Sequence, residues 1–598
     1  MQLPKRIYFP ILFALVFAVV HFAVWAIANQ ALPLINVKPI VHGFAYSGYQ
    51  ADQSPLDRRY PNTAELARDL KLLKTLSNRI RIYTSIENSE IIALADRENL
   101  NVIAGAWING NAYANGREIA ALKEKMLYYD NIEAAIVGNE VLLRNDIPIQ
   151  ELIAYIDDVR NDTDIPVSTA EPWHVWLKHP ELVKHVDFIA VHLLPYHEGV
   201  PVEQAPKYAL DRYHDLMQAC PRKRIVITEI GWPSSGPTIG ASVANEVNQA
   251  RFVREFLAKE EADDYEYYLM EAFDQPWKVN IEGWAGAYWG MFNAKRTEKY
   301  SLQGAVAKDN RWSEKAIWAS AIAFLPIIFI AWRFSSWGIG GVISMAVLLQ
   351  ACITTLVIAW NLPGDYYYTL RDFVILAGLI LAMALTSLVL MIYAVEFSEV
   401  MFKRNWRRIY QRKEPLPEDE ELFVSIHLAC YNEPPEMVIA TIESLKNLDY
   451  KHYEVIVVDN NTQDEAKWKP IEAYMAQLPE NFHFYHLPKW PGFKAGALNF
   501  ALSKTYPRAV AIGVVDADYV VTKDWLATLV PHFTDSKVAV VQAPQAHREW
   551  EDNFFKRMCN WEFEGFFRIG MHHRHERNAL IQHGTMTLIR HQALKDLN

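Results

Sequence analysis

Four long apolar runs constrain this chain before any motif is read. Residues 7–28, 316–332, 338–360 and 373–395 are almost free of charge, and about 20 such residues cross a bilayer as a helix. Lys5 and Arg6 precede the first run; Lys403, Arg404, Arg407, Arg408, Arg412 and Lys413 follow the last. Basic flanks stay on the cytoplasmic side, and four crossings between two cytoplasmic ends have the right parity. The expected layout is an N-terminal anchor (1–35), an exported segment (36–312), three membrane helices (313–400) and a cytoplasmic segment (401–598). Ala26-Ile27-Ala28 has the small-residue pattern of a signal-peptidase site. The run exceeds the roughly 7–15 apolar residues of a signal peptide, which favours an uncleaved anchor.

A chain of 598 residues needs more than one core. Its net charge of -11 gives no sign of a nucleic-acid partner. Of the four cysteines, Cys220, Cys352, Cys430 and Cys559, only Cys220 falls in the exported segment. No disulfide is expected within that segment, and no Cys/His spacing suits zinc.

Within the exported segment, eight short runs rich in apolar, β-branched or aromatic residues occupy 41–47, 80–85, 101–108, 133–140, 166–171, 188–196, 224–233 and 266–273. Segments with helical periodicity separate them, such as 64–77, 117–129 and 248–259. That alternation predicts a (β/α)8 barrel, whose chemistry sits at the C-terminal strand ends. The fourth run ends in Val137-Gly138-Asn139-Glu140, and the seventh contains Thr228-Glu229-Ile230-Gly231-Trp232-Pro233. A lone strand-end Glu is ordinarily a surface residue. Two of them face one pocket across the barrel mouth, the pairing that glycoside cleavage needs. Glu171, which closes the fifth run, is expected in a structural salt bridge.

Gly-Asn-Glu with Thr-Glu-Ile-Gly-Trp-Pro resembles family 17 glycoside hydrolases, the β-1,3-glucanases and glucanosyltransferases, over residues 38–293. The resemblance implies Glu140 as general acid/base, Asn139 as its hydrogen-bonding neighbour and Glu229 as nucleophile of a retaining mechanism, with no cofactor. The Glu271-Ala272-Phe273-Asp274-Gln275-Pro276-Trp277-Lys278 segment is similar to the family's eighth strand and implies that Glu271 and Lys278 assist sugar binding. Aromatic residues Tyr46, Tyr83, Trp107, Trp173, Tyr196 and Trp232 lie at or just after the strand ends. Trp232 and Tyr196 are expected as sugar platforms, and for the others rim packing is an equal alternative.

From residue 422 onward, strands at 424–430, 453–460, 509–518 and 538–544 alternate with amphipathic helices in an open α/β pattern. Asp459 and the Asp516-Ala517-Asp518 triplet fall at strand ends, where ligands gather in such sheets. An Asp-x-Asp often only starts a turn. Placed after a buried strand, its two hard oxygen donors suit a divalent cation that neutralises a diphosphate leaving group.

Tyr431-Asn432-Glu433, Val458-Asp459-Asn460-Asn461, Lys494-Ala495-Gly496-Ala497-Leu498-Asn499, the Asp-x-Asp, Gln542-Ala543-Pro544 and Gly584-Thr585 together resemble inverting family 2 glycosyltransferases of the cellulose-synthase type. The resemblance implies a GT-A sheet with Asn432, Asp459, Lys494 and Asp516 at the nucleotide sugar, and Mg or Mn on Asp516 and Asp518. That family carries its acidic base motif and Q-x-x-R-W after the Gly-Thr segment, and neither is met before Asn598, so a truncated sequence is expected and no base is assigned. His572, His573 and His575 are expected as a solvated or headgroup-facing cluster. The aromatic stretch 550–567 is expected to pack on the membrane or border an acceptor channel.

The two resemblances in one chain are similar to bacterial inner-membrane synthases of periplasmic β-1,3/1,6-glucans, including cyclic ones. They imply UDP-glucose as donor, a β-1,3-glucan chain as product and substrate, and a lipid bilayer as environment. A glucan-binding sensor barrel is the alternative from another class, and an anchored β-1,3-glucanase a third.

Overall fold

The computed structural model describes residues 5–597, which form two compact units. One comprises Val19–Trp318 with Asn361–Leu370. The other comprises Ala319–Trp360 and Arg371–Asn598 with the N-terminal residues up to Ala18.

The first unit is a closed barrel of eight parallel strands. They are β1 (Phe44–Ala45), β2 (Arg79–Arg81), β3 (Asn101–Ala106), β4 (Ile132–Asn139), β5 (Val167–Pro172), β6 (Phe188–Leu193), β7 (Arg224–Ile230) and β8 (Tyr267–Leu269). The pairing of Phe44 with Leu269 closes the ring. Such strands are covered by helices outside and filled inside, so they read as continuous apolar runs. Alternate residues divide the work. Ile103, Ala134, Ile136, Ala190 and Val226 fill the interior, while Val102, Ala104, Ala135, Val137 and Ile227 pack outward in the main core. The helix Thr63–Lys74 begins at an Asn62 capping box completed by Glu65.

Among the described residues, four helices are long and apolar enough to cross a membrane: α1 (Lys5–Ala28), α2 (Trp312–Arg333), α3 (Gly338–Asp365) and α4 (Leu370–Phe402). Large apolar side chains on them face outward, Val19, Leu325 and Leu381 among them, which suits hydrocarbon and not water.

The remaining sheet has six strands: β9 (Val424–Cys430), β10 (Tyr453–Asn460), β11 (Phe482–Leu487), β12 (Ala511–Asp516), β13 (Val540–Gln542) and β14 (Thr587–Arg590). Their order is β11-β10-β9-β12-β14-β13, with the first four parallel and the last two pairings antiparallel. From β9 the order runs outward both ways, so a crevice opens between the C-terminal ends of β9 and β12. The mixed sheet departs from a purely parallel pattern at β14, which pairs antiparallel to β12 from Ala511 to Val514.

The expectation for the histidine cluster is corrected at His573. His573 is buried and its Nδ1 lies 2.7 Å from Glu399, which also takes the Arg577 guanidinium at 2.7 Å. His572 stands edge-on to Trp406 at 4.2 Å. His573 thus packs against the end of α4, where Glu399 needs counter-charge, whereas His572 is exposed, as expected of a solvated residue. In the helix Phe554–Gly565, by contrast, Phe554, Phe555, Met558 and Trp561 are exposed.

Candidate active site

Two register irregularities aim the barrel's acids. On β4, Ile136 pairs with Ser168 but Asn139 pairs with Ala170, so one extra residue is inserted. Gly138 lies there with φ 86°, and a Cβ on it would meet Val141 Cγ2 at 2.6 Å. Glu140 follows with φ 54°, a left-handed conformation that costs a non-glycine residue roughly 1–2 kcal/mol and marks functional sites. On β7, Val191 pairs with Ile227 while His192 pairs with Glu229, so Thr228 is the extra residue. The bulge turns Glu229 to the side of His192.

Glu140, His192 and Glu229 thereby converge, with one ligand atom of each within 4.8 Å of the others. His192 Nδ1 lies 2.8 Å from Glu140 Oε1 and 3.5 Å from Glu229 Oε2. Arg81, buried on β2, donates Nη1–H to Glu229 Oε1 at 2.7 Å and to the Thr228 carbonyl at 3.0 Å. Its Nη2–H donates to Asn139 Oδ1. Burial alone pushes the Glu229 carboxyl up, but His192, Arg81 and Lys278 outweigh it and hold the group below its ordinary value. By donor count the trio also suits a cation, yet the positive charges of Arg81 and Lys278 beside Glu229 work against one.

The acids open into a cleft of about 1010 Å³ lined by Tyr46, Tyr49, Tyr83, Trp107, Trp173, Trp277 and Trp289. Arg144 stacks on Trp107 at 4.7 Å and also donates to the Asn139 carbonyl, joining that ring to the acid's strand end. Flat rings around a carboxylate pair suit the C–H faces of a saccharide.

The two platform expectations are corrected. Trp232 and Tyr196 are fully buried and line no part of this cleft. Trp232 donates Nε1–H to the Val243 carbonyl at 3.1 Å and packs on Phe252, while Tyr196 donates to the Pro237 carbonyl at 2.5 Å. Position after a strand end does not fix which way a ring points, and both turn into the core. Trp232→Ala is therefore expected to destabilise the barrel by about 3–5 kcal/mol, read as a lowered thermal unfolding midpoint of the full chain. Tyr46, Tyr83, Trp107 and Trp173, left open between platform and rim packing, are among the rings that line the cleft.

Glu271 is buried beneath the cleft and accepts from Lys278 Nζ at 3.0 and 3.1 Å. Burial pushes its carboxyl up to about 7 against the pull of Lys278. Lys278 lines the cleft and Glu271 does not, so Glu271 reaches a ligand only through Lys278. Glu171 is not in the expected salt bridge. It accepts the amide N–H groups of Leu142 and Leu143 at 2.7 and 3.3 Å, bracing the loop after Glu140, and burial raises it to about 7. Sequence reading missed Arg81 and His192. Their signal was a charged or titratable residue inside an apolar strand, at Ile80-Arg81-Ile82 and Val191-His192-Leu193. Arg81→Leu is expected to move the acid limb of the barrel's pH–rate profile upward, because Glu229 loses the charge that holds it ionised.

In the second unit the motifs gather at the β9/β12 crevice. Cys430 pairs with Asp459 and Ala429 with Asp516, which brings three strand ends level. Both Asp459 oxygens are engaged, Oδ1 by the Thr462 hydroxyl at 2.6 Å and Oδ2 by His486 Nδ1 at 2.7 Å. Thr462 Oγ1 also accepts the Asn432 N–H at 2.8 Å, where Asn432 holds φ 56°. Lys494 pairs with Asp516 and donates to the Gly584 carbonyl at 3.2 Å, while Asp516 N–H donates to Thr585 Oγ1 at 2.9 Å. Asp518 is exposed beside them. The donor set is two carboxylates, which fits a hard divalent cation, and Asp516 already draws the positive charge of Lys494. Thr462 and His486 were not legible as partners of Asp459 from sequence.

A carboxylate pair in an aromatic cleft at the mouth of a barrel is the site of a glycoside-processing domain, and acids at an α/β switch point are the site of a nucleotide-dependent transferase. Comparison with known families agrees. Residues 43–290 match the BtgE/BtgC glycoside hydrolase domain, and residues 425–597 match glycosyl transferase family 2. The chain thus carries a segment similar to each of these two domain types. The protein named probable glucan endo-1,3-beta-glucosidase btgC of Aspergillus flavus is 30% identical over 287 residues, 42% of this chain and 42% of the relative. The glucan 1,3-beta-glucosidase of Schizosaccharomyces pombe is 29% identical over 264 residues, 40% of this chain and 81% of that protein. This chain thus spans less than half the length of the Aspergillus relative it matches. A solved glycoside hydrolase family 17 β-1,3-glucanosyltransferase from Rhizomucor miehei is 26% identical, with 44% of this chain and 98% of that chain covered at a TM-score of 0.40.

Proposed function

We propose that the chain is a membrane β-glucan synthase in which the second unit transfers glucose from UDP-glucose and the barrel remodels the β-1,3-glucan. The observation that carries the barrel's role is the Glu140–His192–Glu229 constellation. Nearest carboxyl oxygens within 4.8 Å of each other support the roughly 5–5.5 Å separation of a retaining pair. Glu229, held ionised by Arg81 and Lys278, attacks the anomeric carbon. Glu140, 24% exposed at the cleft wall, gives its proton to the leaving glycosidic oxygen. In the second step Glu140 takes a proton from the incoming hydroxyl, which displaces Glu229. When that hydroxyl belongs to a sugar, the product is a transferred or branched glucan, and when it belongs to water, a shorter one.

In the second unit, Asp516 and Asp518 would hold Mg or Mn, with Asn432, Asp459 and Lys494 around the nucleotide sugar. Once bound, the cation neutralises charge on the diphosphate leaving group. Lys494, at Asp516, places a second positive charge at the same position. The basic residues after α4 support a cytoplasmic second unit and an exported barrel in a bacterial inner membrane.

The test uses the full chain in detergent with linear β-1,3-gluco-oligosaccharides. Longer or newly branched products support remodelling, and shorter products alone make the barrel a trimming hydrolase. Binding without any product overturns the catalytic reading in favour of a glucan sensor.

A further inference from the structure

His192 stands between the two carboxylates, and its geometry divides them unequally. Every residue of β6 is buried, and the His192 ring is 2% exposed. Both atoms facing Nδ1 are carboxylate oxygens, so Nδ1 carries a proton and donates it. One N–H makes one good hydrogen bond. At 2.8 Å that bond goes to Glu140 Oε1, while Glu229 at 3.5 Å already has Arg81 at 2.7 Å. The far nitrogen, Nε2, is buried and makes no hydrogen bond among the described residues. The ring therefore has no second partner to relay a proton to, and its polar function is spent on Glu140.

We propose that His192 is a positioning residue for Glu140: its Nδ1–H fixes one carboxyl oxygen, so the other carries the catalytic proton out to the leaving group and back from the acceptor. The proposal rests on the reading of Glu140 as acid/base. Charged groups around Glu140 include Glu229 and Arg81 on β7 and β2, Arg144 four residues on, whose guanidinium donates to the Asn139 carbonyl, Glu171 on β5, His197 after β6, and Lys278 and Glu282 after β8. Among the described residues, His192 Nδ1 is the hydrogen-bond partner of the Glu140 carboxyl. A donated hydrogen bond favours the carboxylate over the acid. In the second step, when a hydroxyl must be deprotonated, the fixed oxygen leaves the other turned toward the acceptor. Loss of the donor removes that fixed geometry together with a bond that prefers the carboxylate.

The experiment compares full-length wild type, His192→Leu and His192→Asn, recording kcat/KM against pH on a β-1,3-gluco-oligosaccharide. Leu fills the space without a donor, and the Asn amide nitrogen takes the place of Nδ1. The Leu variant is expected to lose about 100-fold at the optimum, as misplaced catalytic groups do. Its alkaline limb is expected about one pH unit higher. The Asn variant is expected to recover most of the rate and to return the limb to its wild-type position. Equal losses in both variants with an unmoved limb would make His192 a packing residue and overturn the proposal. So would an alkaline limb that vanishes in both, because His192 itself would then be the titrating group. Glu140→Gly assayed on an activated aryl β-glucoside with azide keeps the two readings apart. A β-glycosyl azide upholds Glu140 as acid/base whatever His192 does, and its absence removes that reading independently.

Discussion

Glu229→Gln is expected to lower the barrel's turnover of β-1,3-gluco-oligosaccharides by on the order of 10⁴-fold or more, with substrate binding retained. The amide keeps the shape of the carboxyl group, and its oxygen still accepts from Arg81 Nη1, so the buried guanidinium is not stranded. What the variant lacks is the proposed nucleophile, and its neighbours do not replace it: Glu140 is proposed to serve the leaving oxygen, and Glu171 holds the Leu142 and Leu143 amides. The loss extends to aryl glucosides with good leaving groups, because those spare only the proton donor. Glu140→Gln differs in that respect. Its first step survives with activated aryl glucosides and fails with natural glucans. Steady-state rates on both substrate types, with thermal unfolding as the control for folding, check the pair. A Glu229→Gln variant that keeps a tenth of the wild-type rate would remove Glu229 from the chemistry.

The second large effect lies in the other unit. Asp516→Ala is expected to weaken cation-dependent binding of UDP-glucose by about 10- to 100-fold, the scale of losing one strong charge-assisted contact. Lys494 now pairs with Asp516. Without that carboxylate its ammonium is free for the diphosphate, so binding in the presence of a chelator is expected to hold or rise. The signature is a loss of metal dependence more than a loss of affinity, read by calorimetry of the full chain with Mn and with EDTA. The barrel's rate on gluco-oligosaccharides is expected to stay at wild type. A variant with undiminished metal stimulation would show that the cation binds elsewhere.

Much of the architecture was legible because burial writes itself into composition. The barrel strands are apolar on both faces and the four long helices apolar all round, so both stood out as unbroken runs. The edge strand β11, Phe482–Leu487, did not, because only Phe482 is buried and two histidines interrupt the half-buried remainder. Glu140 and Glu229 were legible as strand-end acids. That they face one pocket followed from the barrel, but the extra residue in β4 and in β7 that aims them did not, since a bulge leaves no period to read. The same limit explains Trp232 and Tyr196, whose rings turn into the core, and Trp107 and Trp173, whose rings face the cleft. Arg81 and His192 were visible as polar residues in apolar strands. Their partners lie on other strands, so neither role followed from its own neighbourhood.

The most direct test of the barrel's proposed chemistry is the anomeric configuration of its first product. The full chain is mixed with a β-1,3-gluco-oligosaccharide in an NMR tube, and the new linkage or hemiacetal is observed before mutarotation. Two displacements through Glu229 predict β at the earliest times. An α product would mean a single displacement by water, and would contradict both the nucleophile and the short Glu140–Glu229 geometry on which the account stands.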